Sequence, residues 1–115
     1  MRRDLDRLQD VLEAIDRIQQ RTNLSRQAFD ADPLVQVWVI HHLEIVGEAC
    51  RGLSQELRSR HPEVPWGAII GMRNILVHDY FGLNLDEVWS AVERDLPQLR
   101  RQIQAILEDE PPSPQ

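Results

Sequence analysis

Residues 32–60 read DPLVQVWVIHHLEIVGEACRGLSQELRSR, and whether this stretch is strand or helix decides the fold. The β-branched richness of Val35 to Ile40 favours a strand. Against that, Val35, Trp38, Val39, His42, Ile45, Val46 and Ala49 recur on one broad helical face, and the spacing continues far past strand length. Asp32-Pro33 supplies a start signal, a capping carboxylate followed by proline at the first helical position. With only Gly47 and Gly52 inside, the spacing predicts one helix from Leu34 to about Arg60.

The same period extends outward in both directions. Leu5, Leu8, Leu12 and Ile15, widened by Val11 and Ile18, predict an amphipathic first helix from Asp4 to about Arg21. Ser25 can cap a short turn before the long helix. Two prolines in His61-Pro62-Glu63-Val64-Pro65 break the chain. A third helix is expected from Trp66 to around Tyr80–Gly82. Asn84 can cap a fourth, with Asp86 and Glu87 in its first turn, where the helix dipole favours acids. Val88, Trp89, Val92, Leu96, Leu99, Ile103, Ile106 and Leu107 form its apolar stripe, and Pro97 should kink or split it. The expected fold is therefore all-α, an up-down four-helix bundle with room for an extra short helix. Residues 1–110 are expected to form one domain and residues 111–115 a frayed tail.

Composition narrows the function. The 115 residues carry a formal charge of -6, from 13 basic and 19 acidic side chains, and every basic residue is arginine. That excludes a smooth basic coat for non-specific DNA binding but leaves local arginine recognition of phosphate open. A single cysteine, Cys50, excludes an internal disulfide and a cysteine-based zinc site. No apolar run approaches the ~18–20 residues that span a bilayer, and no apolar signal core follows Arg2-Arg3. A soluble cytoplasmic protein without a membrane association is expected. The three tryptophans and the broad apolar face of the long helix exceed what one small bundle needs, which points to a dimer.

Reactive side chains are densest in Arg73-Asn74-Ile75-Leu76-Val77-His78-Asp79-Tyr80. Histidine exchanges protons near neutral pH, and arginine stabilises charge building on a phosphoryl group. Asn74 adds hydrogen-bonding capacity, Asp79 an acid and Tyr80 a phenol. These groups are what cleavage of an RNA phosphodiester without metal requires. A base takes the 2′-hydroxyl proton, an acid protonates the leaving oxygen, and a cation holds the pentacoordinate phosphate. Five residues of straight helix, however, separate Arg73 from His78 by roughly 140°. Either the helix ends near His78 or the site is assembled across a dimer axis. A histidine and a tyrosine that simply bond the last carbonyls of the helix are the structural alternative.

Arg-x4-His-x-Tyr at the end of the third helix resembles the HepT-like toxins of the HEPN ribonucleases. So do Asp32-Pro33-Leu34, Ile45-Val46-Gly47-Glu48-Ala49, Pro65-Trp66 and Ile70-Gly71-Met72-Arg73-Asn74, and the likeness runs from about Asp4 to Leu107. The resemblance implies a HEPN-like bundle in which Arg73 and His78 are the ribonuclease residues, Arg73 on the phosphate and His78 carrying the proton. Asn74, Asp79 and Glu48 would support them. Tyr80 matches the tyrosine to which a minimal nucleotidyltransferase antitoxin adds AMP, with ATP as donor. It further implies an RNA substrate, a homodimer with the motif lining the cleft between subunits, and no metal or other cofactor. The rival within the same resemblance is a non-catalytic binding subunit of a nucleotidyltransferase.

Other clusters are weaker. His41, Glu44 and Glu48 share a helical face and suggest a metal, but helical metal sites draw paired motifs from several helices. Cys50 reads as a small buried residue. Trp38, Trp66 and Trp89 read as core or interface. By segment, residues 1–31 carry six arginines and six acids, residues 65–82 only Arg73 and Asp79, and residues 83–115 seven acids and three arginines. The motif region is thus neutral, which argues for a dimer cleft rather than a basic face.

Overall fold

The computed structural model describes residues 2–22, 25–78 and 84–109. Among these every regular element is helical: α1 (Arg2–Thr22), α2 (Arg26–Ala31), α3 (Pro33–Arg51), α4 (Gln55–Arg60), α5 (Trp66–His78), α6 (Leu85–Ser90), a π-helical turn (Ala91–Asp95) and α7 (Leu96–Asp109). The long helices α1, α3, α5 and α7 build the bundle, and the short ones sit in the connections. α3 packs against α1 on one side and α5 on another, while α7 closes against α1. The expected all-α bundle is therefore what forms.

The stripes behave as their spacing dictates. Leu8, Val11, Ile15 and Ile18 of α1 and Ile103 and Ile106 of α7 are fully buried in one core with Val39, Val46 and Cys50 of α3. At ~1.5–3 kcal/mol for each large apolar side chain removed from water, these faces supply the main drive for assembly. The caps follow the sequence signals. Asp32 Oδ1 accepts from the backbone N–H groups of Leu34 at 3.0 Å and Val35 at 3.3 Å. Ser25 Oγ accepts from Ala28 N–H at 3.1 Å, and Asn84 Oδ1 from Asp86 N–H at 2.8 Å.

One expectation is corrected. The long helix does not run to Arg60; it stops at Arg51, and a separate α4 follows. Ser54 is captured from a distance. Its N–H donates to Asp4 Oδ1 at 2.9 Å, its hydroxyl donates to Asp4 Oδ2 at 2.6 Å, and its Oγ caps Leu57 N–H at 3.1 Å. Asp4 is only 6% exposed, so α1 pins the break through a buried carboxylate whose oxygens are satisfied. Periodicity along α3 cannot register a partner fifty residues away.

At Pro97, where a kink or a split is expected, the helix is disturbed without being split. The chain passes from α6 through the π-helical turn into α7, and Leu96 N–H reaches back five residues to the Ala91 carbonyl. A proline ring crowds the carbonyl four residues before it and offers no N–H. Widening the preceding turn by one residue absorbs that conflict while the helix continues. The expected continuation of the third helix to Tyr80–Gly82, and the tail at 111–115, lie outside the described residues.

Candidate active site

The site begins with a glycine. Gly47 faces α5, and a Cβ built there would collide with Cβ and Cγ of Arg73 and come within 3.3 Å of its Cα. Glycine in a helix interior costs roughly 0.5–1 kcal/mol relative to alanine. Here it allows the two helices to approach until the stem of Arg73 lies across the backbone of α3. The guanidinium is thereby delivered to the next residue along, Glu48.

Arg73 Nη2 pairs with Glu48 Oε2 at 3.0 Å, and Arg73 Nη1 donates to Asn74 Oδ1 at 3.2 Å. Glu48 also meets Arg51 Nη1 at 3.4 Å through its other oxygen. The Arg73 side chain is 23% exposed and Glu48 half exposed, so the pair is screened by water and adds little to stability. Its effect is orientation, because a planar guanidinium held at two nitrogens cannot swing freely. Of the expected supporting residues, Glu48 and Asn74 are thus in contact with Arg73.

The guanidinium opens into a shallow cavity of about 340 Å³ lined by His41, Glu44, Ile45, Glu48 and Arg73. One arginine faces two carboxylates there, so the cavity of a single chain is not a positive pocket. His41 and Glu44 do sit with Glu48, as their helical face requires. Among the described residues, however, no three histidine, cysteine, aspartate or glutamate side chains form a set able to hold a metal ion.

His78 closes α5, five residues beyond Arg73. Its side chain, and Asp79 and Tyr80 altogether, lie outside the described residues. Arg73, Asn74 and Glu48 are consequently the described part of the site. Sequence reasoning matched Gly47 to a motif but missed its contact with Arg73. A glycine inside a strong helical pattern was the available signal, since such a residue usually has a packing reason.

Against known proteins, the profile described as ribonuclease HepT-like matches residues 11–106, spanning the crossing of Gly47 and Arg73 and the approach to His78. The chain belongs to the HepT-like ribonuclease family. A candidate RNase of Caldanaerobacter subterraneus subsp. tengcongensis is 38% identical to this HepT-like chain over 93 residues, 81% of this chain and 83% of that protein. The probable ribonuclease HepT of Thermococcus cleftensis is 35% identical over 102 residues, covering 88% of this chain and 93% of its own length. A candidate RNase of Methanocaldococcus jannaschii is 35% identical over 100 residues, 86% and 92% of the two chains. No solved structure matches this HepT-like protein.

The remaining candidates settle as structure. Cys50 is fully buried, and burial pushes its thiol up to about 12, which leaves no nucleophilic thiolate at neutral pH. The indole of Trp66 is buried and donates to the His61 carbonyl at 2.9 Å. Trp38 donates to the Arg17 carbonyl at 3.0 Å, and Trp89 to Glu93 Oε2 at 2.6 Å. Each indole N–H is committed within the fold. No helix among the described residues is long and apolar enough to cross a membrane.

Proposed function

We propose that this protein is a homodimeric, metal-independent endoribonuclease of the cytoplasm, the toxin of a toxin–antitoxin pair, silenced by AMP addition to Tyr80. The observation that carries this reading is Arg73, laid across Gly47 and held at two nitrogens by Glu48 and Asn74 at the edge of an open cavity. An arginine oriented in advance is worth most where charge develops, on the phosphoryl oxygens of the transition state. His78 then takes the 2′-hydroxyl proton as that oxygen attacks phosphorus. The bond from phosphorus to the 5′ oxygen breaks, and the leaving oxygen takes a proton from solvent water. Asp79 supports this chemistry, and Glu48 acts as a positioning residue for Arg73.

The excess of carboxylate in the single-chain cavity favours a site completed by a second copy. A strip along α3 supports the same reading: Leu34, 81% exposed, and Val37, 49% exposed, share the helical face of His41 and Glu48. Two such strips facing each other would cover apolar surface and bring two Arg73 side chains toward one cleft. A minimal nucleotidyltransferase would transfer AMP from ATP to the Tyr80 oxygen, releasing pyrophosphate. The added phosphate would meet Arg73 and repel RNA.

The test is cleavage of RNA by purified protein in the presence of a chelator. Arg73→Ala is expected to lose ~10²–10³-fold in rate and His78→Ala ~10²–10⁴-fold, with the fold unchanged by circular dichroism. Intact mass after incubation with the nucleotidyltransferase and ATP should show AMP on wild type and none on Tyr80→Phe. The alternative is a non-catalytic partner subunit of a nucleotidyltransferase, and one feature favours it: Glu48 already neutralises Arg73. Wild-type protein that binds that enzyme but cuts no RNA would establish this alternative.

A further inference from the structure

A second cavity, of about 260 Å³, lies between α1 and α3. Asp10, Glu13, Ala14 and Arg17 line it from α1, at i, i+3, i+4 and i+7, positions that one helical face presents together. His42 and Ile45 line it from α3. Ile45 is the residue it shares with the cavity of Arg73.

The hydrogen-bonding state of each polar group defines the occupant. His42 is 6% exposed, and its Nδ1 lies 2.8 Å from the Trp38 carbonyl. A carbonyl only accepts, so Nδ1 carries the proton and the neutral ring keeps a lone pair on Nε2. With Nδ1 turned back along α3, Nε2 on the far side of the ring faces away from that helix. The Trp38 ring, packed at 4.4 Å, holds it there. Among the described residues Nε2 has no hydrogen-bond partner, and neither does the exposed carboxylate of Asp10. Glu13 gives one oxygen to Arg17 Nη2 at 2.8 Å and keeps the other.

The groups left over are thus mainly acceptors. Two carboxylates stand against one guanidinium, an excess that repels phosphate and suits a single positive charge. The acceptors do not converge on a point, since no three such side chains among the described residues could hold a metal ion. An occupant whose N–H groups are spread over a plane fits them, and a guanidinium carries five in a rigid fork. Ala14 and Ile45 offer an aliphatic stem a surface to lie on. Arg17 on Glu13 makes the same kind of pair within the cavity itself.

We propose that this cavity binds an alkylguanidinium, free or as the arginine side chain of a peptide, with its fork on the Asp10 carboxylate and a further N–H donated to His42 Nε2. The proposal does not depend on ribonuclease activity. The test titrates n-butylguanidinium, and separately a capped tripeptide with arginine between two glycines, into full-length protein isotope-labelled at its backbone and histidine nitrogens.

A saturable change in the His42 Nε2 signal is expected, because accepting a hydrogen bond alters the shielding of a lone-pair nitrogen, with amide shifts at Ala14 and Ile45. n-Butylammonium, a point charge without the fork, should bind about tenfold more weakly. Asp10→Asn should weaken the guanidinium about tenfold as well, through loss of a charge-assisted hydrogen bond. Tighter binding of the tripeptide than of n-butylguanidinium would assign a peptide source, and equal binding the free compound; both uphold the site. Four results would each overturn it: no saturable change, equal binding of n-butylammonium, indifference to Asp10→Asn, or amide shifts with the His42 Nε2 signal unmoved.

Discussion

Two arginines in this molecule lie across glycines of the same helical segment, and they come to different ends. At the crossing of α3 and α5, Gly47 meets the stem of Arg73, whose guanidinium emerges beside Glu48 in an open cavity. At the end of α3, Gly52 meets the tip of Arg7, whose Nε is buried without a hydrogen-bond partner among the described residues. The chemistry of the side chain is the same in both places. Which end of it the glycine touches is what differs. Contact at the stem fixes where the guanidinium points and leaves it at the edge of a cavity; contact at the tip covers Nε of the guanidinium. An arginine-rich composition thus says little about phosphate until its surroundings are known.

The largest effect expected from this contrast is on activity. Arg73→Ala should reduce RNA cleavage by ~10²–10³-fold, as loss of an electrostatic transition-state contact does. Arg7→Ala should leave the cleavage rate per folded molecule unchanged. Equal losses in the two variants, measured side by side on one RNA, would break the distinction.

Next comes stability at the stem contact. Gly47→Ala forces apart two backbones, since the obstructing atoms are Cβ, Cγ and Cα of Arg73. Urea denaturation should show a loss of about 1–3 kcal/mol, the usual range for overpacking. Cleavage should fall with it, because α5 carries Arg73 outward.

Cys50 lies between the two crossings and adds a pH test. Burial raises its thiol to about 12, so the folded protein keeps a proton that the unfolded chain gives up near pH ~8.5. The stabilisation is complete below the unfolded value and is lost as pH rises toward the folded one. Between pH 8 and 10 this group should remove ~1–2 kcal/mol of stability, and Cys50→Ala should abolish that component of the slope.

The smallest effect belongs to the tip contact. Gly52 has φ -81°, a conformation open to alanine. The atoms in the way are Nη1, Cζ and Nε of Arg7, the far end of a flexible side chain. Gly52→Ala should change stability by less than ~1 kcal/mol, the lost contact being offset by reduced freedom of the unfolded chain. A cost matching that of Gly47→Ala would show that the two crossings are equally rigid.

Much of this arrangement could be read along the chain. The stripes of α1 and α7, the caps at Ser25, Asp32 and Asn84, and the break around Pro62 and Pro65 are local features, and each formed where its spacing placed it. Arg73 and Asn74 were legible as candidates because their types suit phosphate chemistry, and Glu48 only through the family resemblance. The grip of Glu48 on Arg73 was not legible from spacing; in the fold Glu48 meets Arg51 as well. The break after Arg51 was not legible, because Asp4 makes it from another helix. The π-helical turn was anticipated only as a disturbance at Pro97, since the sequence does not say which turn will yield.

By itself, then, the sequence determined the helical class, the apolar faces and the residue types at the candidate site, all of which follow from period, capping and side-chain chemistry within a few residues. Tertiary structure alone decided that Gly47 would admit Arg73, that Ser54 would be taken by Asp4, and that Arg73 would stand at the edge of a polar cavity. The physical reason is distance along the chain. Local rules set which surfaces a helix offers, but which surfaces meet depends on close packing between segments that sequence spacing does not relate.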